Sequence, residues 1–154
     1  VDLINQRRRT RVVQLAADLL GRRFGPAGPD LFGTRIAVLG ATFKPNTDDV
    51  RDAPALAVAG LLDKAGADVR VYDPQGMENA QRAVPALNYE PTMDDAVRDA
   101  DLICVLTEWA EFRNADPVRV AELTAGKRVV DGRNCLDSAL WTQAGWEYRG
   151  MGRP

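Results

Sequence analysis

Residues 35–53 read RIAVLGATFKPNTDDVRDA. Four apolar residues, Ile36 to Leu39, run unbroken into Gly40, and the chain then turns polar through Phe43, Lys44, Thr47 and Arg51. A short apolar run closed by glycine is the pattern of a strand buried on both faces. Pro54 opens a segment with Leu56, Val58, Leu61 and Leu62 on one side, the pattern of an amphipathic helix with proline in its first turn. In open parallel sheets, ligands sit beyond the carboxyl ends of the strands, so the loop between this strand and this helix is where chemistry is expected. Asp, Asn and Thr occupy such loops for their turn chemistry alone. A lysine and an arginine projected there point to a bound anion.

Outward from that unit the alternation repeats. Strand-like runs recur at Ile36–Leu39, Val69–Tyr72, Leu102–Leu106 and Val129–Val130, with a short candidate edge strand at Trp146–Tyr148. Helical patterns fall near Ala53–Ala65, Asp94–Ala100, Pro117–Thr124 and Ser138–Gln143. Strand and helix in alternation predict an α/β fold, a Rossmann-like three-layer domain whose sheet is mainly parallel with right-handed crossovers. Residues 1–21 form a long helical lead-in with Ile4, Val12, Leu15, Ala16 and Leu19 on one side, and Arg7, Arg8 and Arg9 read as its solvated face. Residues 22–34, with Pro26, Gly28, Pro29 and Gly33, are a connector of turn formers.

Composition sets mild bounds. The 154 residues suffice for one ordinary core, and a formal charge of -2 argues against nucleic acid or an anionic membrane as partner. There is no apolar stretch of membrane-spanning length. Two distant cysteines and no histidine argue against a metal site or a disulfide framework and fit a reducing, cytoplasmic setting. Val1 in place of an initiator methionine points to a piece of a longer chain.

Two further strand ends carry polar groups. Asp73, after the second strand, stands where dinucleotide folds place a ribose-binding acid. The glycine fingerprint is missing, however, with Phe43 and Pro45 in its place, so Asp73-Pro74 reads as a turn and helix-start device. In Val129-Val130-Asp131-Gly132-Arg133-Asn134, Gly132 permits a sharp turn that projects Arg133 from a strand end. If their strands are neighbours, Lys44 and Arg133 meet above the sheet and suit a diphosphate: arginine takes two oxygens in a planar fork, lysine supplies a mobile charge, and Phe43 can lean on a base or sugar. Cys104 reads as a core residue, and Cys135 lacks an activating partner.

GATFKPNTDDVRDAP (residues 40–54) resembles the motif that opens the C-terminal domain of the UDP-glucose/GDP-mannose dehydrogenase family. The resemblance continues through VYDP (71–74), LTEWAEF (106–112), VVDGRN (129–134) and YRGMGRP (148–154), and the TEWxEF and DGRN forms look most like the UDP-glucose 6-dehydrogenase branch. Ala41-Thr42 departs from the family's usual apolar-small pair, and the connector is longer than usual. The resemblance implies two successive NAD-dependent oxidations, UDP-glucose to UDP-glucuronate. Related members act on UDP-N-acetylmannosamine or GDP-mannose. It implies that Phe43, Lys44 and Arg133 contact the UDP-sugar and that Arg51 reaches NAD, with Asp48 and Asp49 holding the loop through backbone amides. Glu108 and Trp109 belong to a motif without an assigned role. The family's catalytic-cysteine motif and N-terminal glycine fingerprint are absent from this sequence. The implied division is therefore 1–21 as part of the central linker and dimerisation helix, 22–34 as connector, and 35–154 as UDP-sugar-binding domain, homodimeric in the complete enzyme and inactive alone. Two other classes stay open: a receiver-like domain, which needs acids at the first strand's end where Phe43 and Lys44 stand, and a purely dimerising module, which has no use for Lys44 and Arg133.

Overall fold

The computed structural model describes residues 3–152. In chain order the elements are α1 (Leu3–Leu19), β1 (Phe24–Gly25), β2 (Gly28–Pro29), β3 (Arg35–Leu39), α2 (Pro54–Lys64), β4 (Asp68–Tyr72), α3 (Met77–Ala83) and β5 (Asn88–Tyr89). They continue with α4 (Met93–Val97), β6 (Leu102–Val105), α5 (Ala110–Arg113), α6 (Pro117–Leu123), β7 (Arg128–Asp131), α7 (Ser138–Gln143) and β8 (Glu147–Gly150). Six strands form one sheet in the order β5-β4-β3-β6-β7-β8, every neighbouring pair parallel. Counted along the chain that order is third, second, first, fourth, fifth, sixth, the doubly wound arrangement whose direction reverses between β3 and β6.

Side-chain alternation divides the strands between two cores. Ile36, Val38, Val69, Val71, Leu102, Cys104 and Val130 face α1 and α2, where they meet Leu15, Leu56, Val58 and Leu62. Ala37, Leu39, Ile103, Val105 and Val129 face the other way, onto Val97, Phe112, Val120, Trp141 and Trp146. Both faces of the sheet are thus covered, which is why β3 and β6 read as unbroken apolar runs. Proline sits in the first turn of α2 and of α6, and Asp116 and Asp137 cap α6 and α7 by accepting from Val118 N and Leu140 N.

The lead-in helix belongs to this core. Val12, Val13, Leu15, Ala16, Ala17 and Leu19 are all buried against the body. At about 1.5–3 kcal/mol for each fully buried Val or Leu before chain entropy, α1 is a substantial part of the fold's stability. The side chains of Ile4 and Asn5, and all of Val1, Asp2, Arg153 and Pro154, lie outside the described residues.

Five elements go beyond the sequence expectation: β1 and β2, which form a hairpin inside the connector, α3, the two-residue β5, and α5. The strands and α5 are too short for periodicity to register, and α3 buries only Ala80, so it carries no apolar stripe. The candidate edge strand is real but shifted, spanning Glu147–Gly150 and paired in parallel with β7. α4 stops at Val97, where Arg98 leaves the helix at ψ 126° and Asp99 follows with a left-handed φ of +60°. No helix among the described residues is long and apolar enough to cross a membrane.

Candidate functional site

The ends of β3 and β6 approach so closely that only glycine can stand at position 40. Gly40 has φ +108°, and a Cβ there would lie 2.6 Å from the backbone nitrogen of Thr107. Thr107 Oγ1 donates to the Thr42 carbonyl at 2.8 Å, tying the two strand ends together. Beneath them Asp73, 1% exposed, gathers the loop. Its Oδ2 accepts from Ala41 N (2.8 Å), Thr42 N (3.2 Å), Thr42 Oγ1 (3.2 Å) and Trp109 Nε1 (3.1 Å). Its Oδ1 accepts from Gln75 N (3.0 Å) and Gly76 N (2.7 Å) ahead of α3. The expected turn role of Asp73 is therefore half of its work. The other half is a buried bracket under the β3–α2 loop, and Trp109 seals it.

Asp131 performs the same service at the end of β7. It is fully buried and accepts from Leu136 N (2.8 Å), Cys135 N (3.1 Å), Arg133 N (3.3 Å) and the Tyr148 hydroxyl (2.7 Å). The chain turns at Gly132 as expected, although the left-handed residue of the turn region is Asn134 at φ +51°. Glycine at 132 meets a demand for space: a Cβ would fall 2.8 Å from Leu106 Cδ2 and 3.2 Å from the Val105 carbonyl oxygen. Asn134 clamps the chain beyond β8, donating to the Met151 carbonyl at 2.9 Å and accepting from Met151 N at 2.7 Å.

From this support Arg133 reaches across the end of β6. Its Nε donates to the Leu106 carbonyl at 3.0 Å and its Nη2 to the Phe43 carbonyl at 2.8 Å. Its Nη1 faces Glu108 Oε1 at 3.5 Å, a charge pair without hydrogen-bond alignment that leaves this buried carboxylate oxygen unpartnered. One guanidinium thus joins the ends of β3, β6 and β7. Beside it lies a cleft of about 230 Å³ between α1, α2 and the strand ends, lined by Phe43, Ala55, Val58, Leu106 and Arg133. Phe43 is 53% exposed at its rim.

The expectation that Lys44 and Arg133 meet over neighbouring strands is corrected by the topology. β6 lies between β3 and β7, and Lys44 lines an adjoining depression with Thr47, Asp49 and Arg51. Phe43 borders both hollows, so the two cations flank one aromatic ring. Arg51 is paired with Asp49 through Nε–Oδ1 and Nη2–Oδ2 contacts of 3.0 Å each, and its side chain is 87% exposed. The Arg51 hydrogen bonds hold the Asp49 carboxyl down at about 2. Asp49 accepts from the Arg51 backbone amide as expected, whereas Asp48 is exposed and contributes its carbonyl, which accepts from Asn79 Nδ2. Burial pushes the Cys104 thiol up to about 12, and burial with the nearby Asp131 charge does the same at Cys135.

Residues 37–138 match the UDP binding domain of the UDP-glucose/GDP-mannose dehydrogenase family. The chain belongs to that family. It is 43% identical over 136 residues to a UDP-glucose 6-dehydrogenase of Rhizobium meliloti (strain 1021), covering 88% of this chain and 31% of that protein. A UDP-glucose dehydrogenase structure from Pyrobaculum islandicum superimposes with a TM-score of 0.72 at 33% identity, over 86% of this chain and 27% of the other. An NDP-N-acetyl-D-galactosaminuronic acid dehydrogenase from Methanosarcina mazei Go1 superimposes with a TM-score of 0.80 at 26% identity, over 94% and 29%. The chain spans about a third of the length of the curated relatives it matches.

Within the family's UDP binding domain, Phe43 stands between two hollows, one lined by Arg133 and the other by Lys44 and Arg51. Trp109 and Glu108 of the TEWxEF segment gain positions in the same assembly, one sealing the Asp73 bracket and one facing Arg133. Sequence reasoning missed the load carried by Asp73 and Asp131. The available signal was an acid at the end of a strand followed at once by turn residues.

Proposed function

We propose that this chain is the UDP-sugar-binding portion of an NAD-dependent UDP-glucose 6-dehydrogenase, which oxidises UDP-glucose twice to UDP-glucuronate. The observation that carries the reading is Arg133, stretched over the end of β6 to the Phe43 carbonyl at the rim of a cleft beside the point where strand order reverses. Its Nη1 meets Glu108 without hydrogen-bond alignment and so has a donor to offer a phosphate oxygen. Lys44 has no hydrogen bond or ion pair to a described residue and supplies the second charge from the far side of Phe43. The exposed ring of Phe43 between them gives the base or sugar a flat apolar surface.

NAD is the oxidant this reading implies. The residues present do not build a cradle for it: a single glycine follows β3, the space above it is filled by Thr107, and both Asp73 oxygens are taken by protein donors. We assign NAD to other parts of the enzyme, with Arg51 as this chain's contact to it. Both thiols resist ionisation, so neither suits the thioester chemistry of the family, and the chain alone is expected to be inactive. Residues 1–21 would be part of the central helix, 22–34 the connector and 35–154 the substrate domain. The apolar stripe of α1 is buried in this chain's own core, so the homodimer we expect would use its polar face.

Titration calorimetry with UDP tests the proposal. Lys44→Ala and Arg133→Ala each remove a charge-assisted contact worth about 1.5–3 kcal/mol, or roughly 10- to 100-fold in Kd. Saturable binding lost in both variants is the expected result. Binding unaffected by either, or none at millimolar UDP, refutes it. The likeness to the Methanosarcina enzyme favours a second reading, an N-acetylated nucleotide sugar as substrate, which competition between UDP-glucose and UDP-N-acetylmannosamine separates.

A further inference from the structure

Four arginines of α1, Arg7, Arg8, Arg9 and Arg11, stand together without the carboxylate partners that most other arginines of the chain have. Eight arginines elsewhere, among them Arg35, Arg70, Arg119 and Arg133, face a carboxylate within 4.0 Å. The side chains of Arg7, Arg8, Arg9 and Arg11 have no hydrogen bond or ion pair to any described residue, a condition shared outside the helix by Arg23 and Arg113, which stand apart from one another in the sequence. In a chain of net charge -2 that supplies acids freely, such a concentration of unpaired guanidinium groups is not a consequence of composition. One of the four, Arg9, is half-buried rather than on the solvated face that the sequence suggests, while Arg8 stays exposed at the cleft's edge. Arg8 and Arg9 line the same cleft of about 230 Å³ as Phe43 and Arg133, above the buried Val12. Arg9 Nε is buried there with no acceptor.

A desolvated guanidinium nitrogen without a partner is costly, and an anion in the cleft relieves it. Three guanidinium groups line this cleft against one carboxylate, Asp52, while Glu108 stands behind Arg133. Planar forks on opposite walls suit phosphate oxygens, which accept from several directions. We infer that Arg8 and Arg9 complete a diphosphate-binding cleft with Arg133, so that α1 contributes substrate contacts as well as fold stability. The identity of the ligand as a nucleotide rests on the function proposed above; the charge of the ligand does not.

The experiment titrates the chain with inorganic pyrophosphate, UDP and uridine, comparing Arg9→Gln, Arg8→Gln and the control Arg11→Gln. Arg11 lies on the same helix but faces a neighbouring groove with Arg7, Gln14 and Asn134 and is not among the residues that line the cleft, so its loss changes net charge equally without touching the cleft. Pyrophosphate and UDP are expected to bind, each weakened about tenfold or more by Arg9→Gln and Arg8→Gln and little by Arg11→Gln, with uridine far weaker than UDP. Thermal melts confirm that the variants remain folded. UDP binding that falls in Arg133→Ala but is indifferent to Arg8 and Arg9 overturns the inference and leaves the function standing. Equal weakening by Arg11→Gln overturns it too, because the effect is then long-range charge alone. Pyrophosphate binding that depends on Arg9, with UDP no tighter, keeps the cleft and refutes the nucleotide. No binding of either anion refutes the cleft.

Discussion

Asp73→Asn isolates the buried bracket beneath the candidate site. The substitution preserves shape but turns one acceptor into a donor. If the amide nitrogen takes the place of Oδ1, it confronts the amides of Gln75 and Gly76, now 3.0 and 2.7 Å away. If it takes the place of Oδ2, it confronts Ala41 N, Thr42 N and Trp109 Nε1 at 2.8–3.2 Å, while the Thr42 hydroxyl can rotate to accept. The gentler arrangement still orphans the buried amide of Gly76 and the more accessible amide of Gln75. At about 1–3 kcal/mol for a buried donor and less for an accessible one, the expected cost is roughly 2–5 kcal/mol. That is a large fraction of the roughly 5–15 kcal/mol that holds a typical domain folded, and it corresponds to a drop in Tm of roughly 5–20 °C. Urea unfolding followed by tryptophan fluorescence reads it directly, since Trp109 is one of the bracket's donors. A variant within about 1 kcal/mol of the parent refutes the claim that Asp73 holds the loop. The same variant, below its Tm, is expected to bind UDP more weakly because the loop carrying Phe43 and Lys44 loses its anchor.

Gly40→Ala sets a Cβ 2.6 Å from the Thr107 backbone at a left-handed φ, and is expected to cost more than about 3 kcal/mol in denaturant unfolding; a fully stable variant contradicts the close approach of β3 and β6. Neither thiol is expected to react with a disulfide reagent at pH 8 before unfolding, because a thiol near 12 is ionised to only about one part in ten thousand. Their folded values lie above the ordinary 9.0, so the stability they contribute is full below pH 9 and declines as the pH rises toward 12; prompt labelling of Cys135 refutes this. Carboxyl NMR is expected to show Asp49 titrating near 2 and returning toward 3.8 in Arg51→Ala. Its folded value is depressed, so any stability it adds is present above pH 3.8 and lost as the pH falls to 2, a small effect for so exposed a pair. An unchanged midpoint in Arg51→Ala removes Arg51 as the cause.

Period and punctuation in the sequence were enough for the doubly covered parallel sheet. Ile36–Leu39 and Leu102–Val105 are apolar at every position because both faces are buried, and Pro54 marks a helix start by its fixed φ and missing amide. Those signals are local, and local chemistry survives in the one-dimensional string. The likeness of five motifs to one family likewise needed no coordinates. What the string could not contain was adjacency. That β6 separates β3 from β7, that Arg133 nonetheless reaches Phe43, and that Lys44 falls on the other side of that ring all follow from strand order. Asp73 looks like a turn residue to its neighbours in sequence, yet most of its donors come from Ala41, Thr42 and Trp109, some thirty or more positions away. Arg8 and Arg9 look like a solvated stripe until the packing of Val12 and Leu15 sets both along the cleft at the strand ends, with Arg9 half-buried there. A helix's apolar stripe says which side is buried. Only the tertiary structure decides what its polar side is set against, because that depends on where the buried side docks.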